Sequence, residues 1–123
     1  KNRKLNDLYN ELPITFSSPT MSPKCPEEKK YDVVDKINNI FQNKMKNNQP
    51  LAGQKILSIV TVNGVRINLE DGSWGLVRAS SNSPNLVVVC ESTISEERMK
   101  EVFHGLNREL VKFEEIGDYD QKI

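Results

Sequence analysis

The run ILSIVTVNGVRINLEDGSWGLVRASSNSPNLVVVCE, Ile56 to Glu91, decides the fold. Its apolar residues recur with a period near two, the signature of strands with one buried face. Asn63-Gly64 is a strong two-residue hairpin signal, because both residues tolerate the positive φ that such a turn needs. Asp71-Gly72 marks the next reversal. The stretch therefore predicts four antiparallel strands, ILSIVTV, VRINL, SWGLVRA and LVVVCE, in a meander. Its last connection is unlike the others. RASSNSPN, Arg78 to Asn85, places one arginine and five Ser or Asn residues between two apolar strands. A hairpin needs only about two to five connecting residues, so this loop is overbuilt for a turn.

Helical patterns flank the meander. Pro26 followed by Glu27 and Glu28 is a start signal, since proline is tolerated in a first turn and carboxylates suit the positive end of the helix dipole. Val33, Val34, Ile37, Ile40, Phe41 and Met45 then form an apolar stripe, opposed by Lys29, Lys30, Asp35, Lys36 and Lys44. Asn47, Asn48, Pro50 and Gly53 stop it. After the meander, Thr93-Ile-Ser-Glu96 reads as a capping box, and Met99, Val102, Phe103, Leu106 and Leu110 make a second stripe. Two one-sided helices and a sheet with one apolar face predict an α+β domain, an antiparallel four-stranded sheet with both helices packed on one face.

At 123 residues the chain suits one domain with a real core. Residues 1–17 read as a short helix over Leu5, Leu8, Tyr9 and Leu12, ended by Pro13, then a Ser/Pro-rich linker running into an edge strand. The domain proper is expected over 18–113, and 114–123 is expected to be a fraying polar tail. A chain that opens on Lys1 with a helix pattern reads as a fragment of something longer.

Seventeen basic and seventeen acidic side chains cancel, so no global field favours nucleic acid or an anionic membrane. The longest apolar run, Leu86 to Cys90, is far short of the roughly 20 residues that span a bilayer. Cys25 and Cys90 have neither CxxC spacing nor clustered histidines, so they supply no zinc ligand set. These features point to a reduced, cytoplasmic protein.

The chemistry concentrates in the odd loop. Arg78 offers a charged planar fork that matches phosphate or carboxylate, and Ser80, Ser81 and Ser83 add hydroxyls, Asn82 an amide. Loop amides between rigid strands can converge on an anion. A general base, an activated nucleophile and an acidic metal cluster are all missing there, so the loop is expected to hold rather than react. The competing reading is ordinary surface composition. A third possibility is a noncatalytic module whose sheet face meets RNA, which calls for an outward aromatic platform.

Other residues read more simply. His104 falls on the polar side of its helix and is expected to be solvated. Cys90 ends an apolar strand and reads as a small buried hydrophobe. Trp74 is expected to anchor the core at a sheet edge, or to cap a pocket. Glu70 and Asp71 read as solvated turn charges, and Arg66 should project opposite Val65 and Ile67.

Taken in order, NELP (Asn10–Pro13), the Ser-Pro segment, CPEEKKYDVV and the run VTVNGVRINLEDGSWGLVRASSNSPNLVVVCES resemble the C-terminal, fourth domain of the α-D-phosphohexomutases, in their phosphomannomutase/phosphoglucomutase branch. The family pattern there is a DGV(R/K) hairpin, an acidic-Gly-Ser-Trp turn, an Arg-x-Ser loop closed by Pro, and an apolar strand ending in Glu. Here it reads Asn63-Gly64-Val65-Arg66, Asp71 to Trp74, Arg78 to Pro84 and Leu86 to Glu91. The resemblance implies a TATA-box-binding-protein-like fold and a domain that grips the phosphate of a glucose or mannose phosphate. It places the phosphate contacts on Arg78, Ser80, Ser81 and Asn82. Ser81 stands where the family usually has Gly or Asn, and Asn82 where it has Thr, though each keeps a donor. The resemblance also implies that the catalytic phosphoserine, the magnesium site and the sugar-hydroxyl contacts lie in three other domains. This chain would then hold no catalytic residue and no metal, and would be inactive alone. The full enzyme would interconvert hexose 1-phosphate and hexose 6-phosphate through a bisphosphorylated intermediate. The Arg-Ala-Ser opening favours the mannose/glucose branch over the phosphoglucosamine mutases.

Overall fold

The computed structural model describes residues 15–120; the helix expected over Leu5 to Leu12 lies outside the described residues. Strand alternation is realised in β1 (Phe16–Ser17), β2 (Ile56–Val60), β3 (Val65–Leu69), β4 (Trp74–Ala79) and β5 (Leu86–Ser92). The helices are α1 (Lys30–Lys46) and α2 (Glu96–Leu110). All strands form one antiparallel sheet in the order β1-β5-β4-β3-β2. Val65, Ile67, Leu69, Val77, Leu86, Val88 and Cys90 share its buried face with Val33, Ile37 and Phe41 of α1 and Met99, Val102, Phe103, Leu106 and Leu110 of α2. Both helices thus cover one face, as expected for an α+β domain.

The sheet has five strands, not four. The fifth is the edge strand expected where the Ser/Pro-rich linker ends, left out of the four-stranded count, and prolines interrupt it. Beyond β1 the chain continues beside β5, with hydrogen bonds from Ser18 N–H to the Cys90 carbonyl, Leu86 N–H to the Pro23 carbonyl, and both ways between Met21 and Val88. Pro19 and Pro23 lack the amide donor that a regular ladder requires, so only the first two residues form a continuous strand.

Three local expectations are also corrected. α2 is capped by Ser95, whose hydroxyl accepts from Arg98 N–H at 3.0 Å, rather than by Thr93. β5 stays in the sheet to Ser92, and Thr93 is still leaving it. α1 begins at Lys30, after a turn in which Lys29 and Lys30 N–H both donate to the Pro26 carbonyl. The tail is held as far as Asp120: Lys24 N–H donates to the Asp118 carbonyl, Gly117 N–H to the Lys24 carbonyl, and Tyr119 Oη to Asn107 Oδ1 at 2.7 Å. Phe113, Ile116 and Tyr119 pack on the core, which a purely polar tail would not do.

A loop pinned from beneath and a cleft beside it

The β4–β5 connection is braced internally and from below. Ser80 N–H donates to the Asn85 carbonyl at 2.9 Å, and Asn85 N–H to the Ser83 carbonyl at 2.8 Å. The Ser80 and Ser83 hydroxyls lie 3.2 Å apart, and Asn82 N–H donates to Ser80 Oγ at 3.3 Å. Cys25 N–H holds the Pro84 carbonyl at 2.9 Å, which ties the closing proline to the irregular edge.

Underneath sits a residue whose charge had assigned it to the solvated face. Lys30 is 1% exposed. Its ammonium donates to the Ser80 carbonyl, to the Ser83 carbonyl at 3.1 Å and to Glu27 Oε1 at 3.0 Å, so its donors are matched one by one. Its charge, not its phase, put Lys30 on the solvated side of α1: it stands three residues before Val33 and seven before Ile37, on the same face as the apolar stripe. The loop covers that first turn. A lysine three and four residues before Val33 and Val34 was the available signal, yet nothing local says what lies above it.

Peptide planarity turns this pin into a statement about donors. The Ser80 carbonyl and the Ser81 N–H belong to one trans peptide and point in opposite directions, so a carbonyl aimed at Lys30 aims the Ser81 amide away from it. Among the described residues that amide has no protein acceptor.

Beside the loop lies an open cleft of about 740 Å³. Tyr31, Val34, Asp35 and Asn38 of α1 form one wall, the β2–β3 turn from Thr61 to Gly64 another, and Arg78, Ala79 and Ser81 a third. Asp35 makes the helix wall acidic, so an anion belongs at the opposite wall. Arg78 forms no ion pair among the described residues, whereas Arg98 holds Asp71 at 2.8 Å and Glu101. Arg78 is seated by the hairpin turn, where Gly64 has φ of 95° and its backbone approaches Val77 and Arg78 too closely for any side chain. The sequence-predicted residues therefore divide. Arg78 and Ser81 line the cleft, Ser80 is a half-buried brace, and Asn82 is exposed at the tip, with Ser81 Oγ donating to its Oδ1 at 3.4 Å.

The remaining candidates stay out of this site. His104 is exposed. Cys90 is buried, and burial pushes its thiol up to about 12, which leaves no thiolate. Asp71 is not a solvated turn charge: its carboxylate receives Arg98 Nε and the Ser73 N–H. Arg66 projects from the open sheet face as expected, but Trp74 lies there too rather than in the core, with the guanidinium 4.2 Å from its ring centroid. That stacking covers the indole, so it offers no free platform for a nucleic-acid base. Among the described residues no three His, Cys, Asp or Glu gather to hold a metal, and no helix is long and apolar enough to cross a membrane.

Residues 23–109 match the family model described as phosphoglucomutase/phosphomannomutase, C-terminal domain. The chain is 33% identical to a phosphopentomutase of Thermococcus kodakarensis, over 84% of this chain and 21% of that protein. It is 32% identical to a probable phosphoglucosamine mutase of Methanothermobacter thermautotrophicus, over 76% of this chain and 19% of that one. To a phosphomannomutase/phosphoglucomutase of Pseudomonas aeruginosa it is 30% identical, over 84% and 20%. The fold matches a crystal structure of a phosphoglucomutase/phosphomannomutase family protein from Burkholderia thailandensis with a TM-score of 0.60 at 24% identity, covering 86% of this chain and 19% of that one. The chain spans about a fifth of the length of the curated relatives it matches.

Proposed function

Because the chain belongs to the phosphoglucomutase/phosphomannomutase C-terminal domain family, we propose that it is the domain that grips the phosphate of a hexose phosphate within a larger phosphohexomutase. The observation that carries this reading is that Arg78 and Ser81 share one wall of an open cleft, Arg78 without an ion-pair partner and the Ser81 amide without an acceptor among the described residues. Arg78 supplies charge and a two-pronged fork, and the Ser81 amide, the Ser80 and Ser81 hydroxyls and the Asn82 side chain bond the other phosphate oxygens.

The proposed whole enzyme is a cytoplasmic mutase that interconverts hexose 1-phosphate and hexose 6-phosphate through a bisphosphate. Such a sugar must present either end to one phosphoryl donor. A domain that holds only the phosphate accepts both orientations, and closing over the sugar excludes water that would hydrolyse a phosphoenzyme. The loop has no general base and no nucleophile beside an activator, so the reacting groups and magnesium belong to the other domains, and this chain alone is inactive. The relatives' names carry three sugar classes at nearly equal identity, while all three share a sugar phosphate. The mannose/glucose assignment within the proposal rests on the Arg78-Ala79-Ser80 opening.

The test is a titration of this chain followed through its backbone amide resonances, with glucose 6-phosphate and with glucose as control. Affinity of a single domain is expected near the millimolar range, about 4 kcal/mol. Saturable shifts over residues 78–85 with the phosphate ester and none with glucose bear the reading out; an unmoved loop at saturating ester overturns it.

A further inference from the structure

Resting on that reading, we infer that Lys30 is the positioning residue of the phosphate loop: its buried ammonium sets the loop's carbonyls inward, turns the Ser81 amide to the ligand and places a second positive charge beneath the anion. Burying an ammonium is costly, and a lysine at a helix start gains nothing from that position, because the positive end of the helix dipole repels it. Lys30 is nevertheless 1% exposed at the first residue of α1. Its contacts account for the placement. Two of its donors go to the loop carbonyls of Ser80 and Ser83 and one to Glu27, which is itself 65% exposed and so partly answered by water.

An apolar residue of similar length would fill the same space but leave the Ser80 and Ser83 carbonyls without their donor. Core filling alone therefore does not call for lysine here. What lysine alone supplies is a fixed orientation for two peptide groups and a charge that no bulk water separates from the loop. The Ser80–Ser81 peptide is polarised by the ammonium at its oxygen, which strengthens its N–H as a donor on the far side. Arg78 approaches the anion from the cleft and Lys30 acts through the loop, so the two contribute from different sides.

The test compares the unaltered chain with Lys30→Met in titrations with glucose 6-phosphate and glucose 6-sulfate at pH 8, read at the loop amides. The esters share shape and differ in charge. The inferred role predicts that Lys30→Met keeps the folded spectrum outside residues 78–85 and weakens glucose 6-phosphate by about tenfold or more, but the singly charged sulfate ester by only about threefold. A general loosening of the loop would weaken both equally. Equal losses, or no loss, overturn the inference while leaving the phosphate-gripping reading in place. Failure of the unaltered chain to bind either ester overturns both. Should Lys30→Met not fold, the lysine ammonium resonances of the unaltered chain decide. A Lys30 signal that moves with the same midpoint as the Ser81 amide supports the role, and one that stays fixed at saturation overturns it.

Discussion

Gly64 lies against the backbone of Arg78 with no space between them. A methyl group on Gly64 would meet the Val77 carbonyl oxygen at 2.5 Å, and φ at Gly64 is already 95°. Hairpin turn and candidate anion ligand are thus one packed unit. Gly64→Ala must both adopt an unfavourable backbone and push β4 away, which is expected to cost about 2–4 kcal/mol, combining strain and overpacking. Urea denaturation checks this, and a variant within about 0.5 kcal/mol of the parent would refute the packing argument.

Arg78 makes no ion pair among the described residues, so its removal leaves no buried carboxylate behind. Arg78→Ala is expected to leave the melting temperature nearly unchanged and to weaken glucose 6-phosphate by about 10- to 100-fold, the worth of a charge-assisted pair. Isothermal titration measures the loss. In the proposed whole mutase the same change should slow turnover and raise KM.

At Gly75 α2 packs directly on the sheet, and an added Cβ would stand 2.5 Å from Leu106 Cδ1. Gly75→Ala is therefore expected to destabilise by about 1–3 kcal/mol, and Leu106→Val in the same chain should recover part of that. A double-mutant cycle by denaturant titration tests the coupling; additive effects would mean the two positions do not meet.

Asp71 and Arg98 form an ion pair with side chains 10% and 13% exposed. Burial alone would raise the Asp71 carboxyl, but the Arg98 and Ser73 hydrogen bonds outweigh it and hold the group below the usual carboxylate range. A depressed folded value means the stabilisation is present above the unfolded pKa of about 3.9 and is lost as pH falls through the folded value. Asp71→Asn is expected to cost about 1–3 kcal/mol at pH 7. That difference should shrink as the pH is taken below 4 in chemical denaturation; a difference independent of pH would sink the assignment.

Both thiols are buried, and Cys90 is raised to about 12 by desolvation. Neither is expected to react with a disulfide reagent at pH 8 until the chain unfolds, so the labelling rate should track denaturant concentration. Fast labelling of Cys90 in the native chain would show that β5 opens locally, and of Cys25 that the edge before α1 does.

Much of this protein was determined by patterns that a single element carries. A period of two between Ile56 and Glu91 places side chains alternately by the pleat, and the four meander strands fall within about two residues of the expected bounds. The apolar stripes likewise account for most of the buried residues of α1 and α2, with Lys30 and Glu109 buried outside them and Ile40 and Met45 only half-buried. The overbuilt composition of RASSNSPN was visible in the same way, as a departure from what a turn needs.

Only the tertiary structure decided the rest, because those features depend on segments that meet across long stretches of chain. An edge strand was expected after the linker, but prolines break it and its partner β5 lies about seventy residues onward, as in the pairing of Ser17 with Glu91, so its place in the sheet was not legible locally. Trp74 sits on the open face because the β4 register gives the inward positions to Gly75 and Val77, and Gly75 is inward because α2 needs the room. Lys30 is the sharpest case. Its charge assigns it to water although its phase falls on the buried stripe, and a loop fifty residues away covers it and accepts its hydrogen bonds. Periodicity describes one element against an average environment; which carbonyls wait above a given side chain is set only when the elements dock.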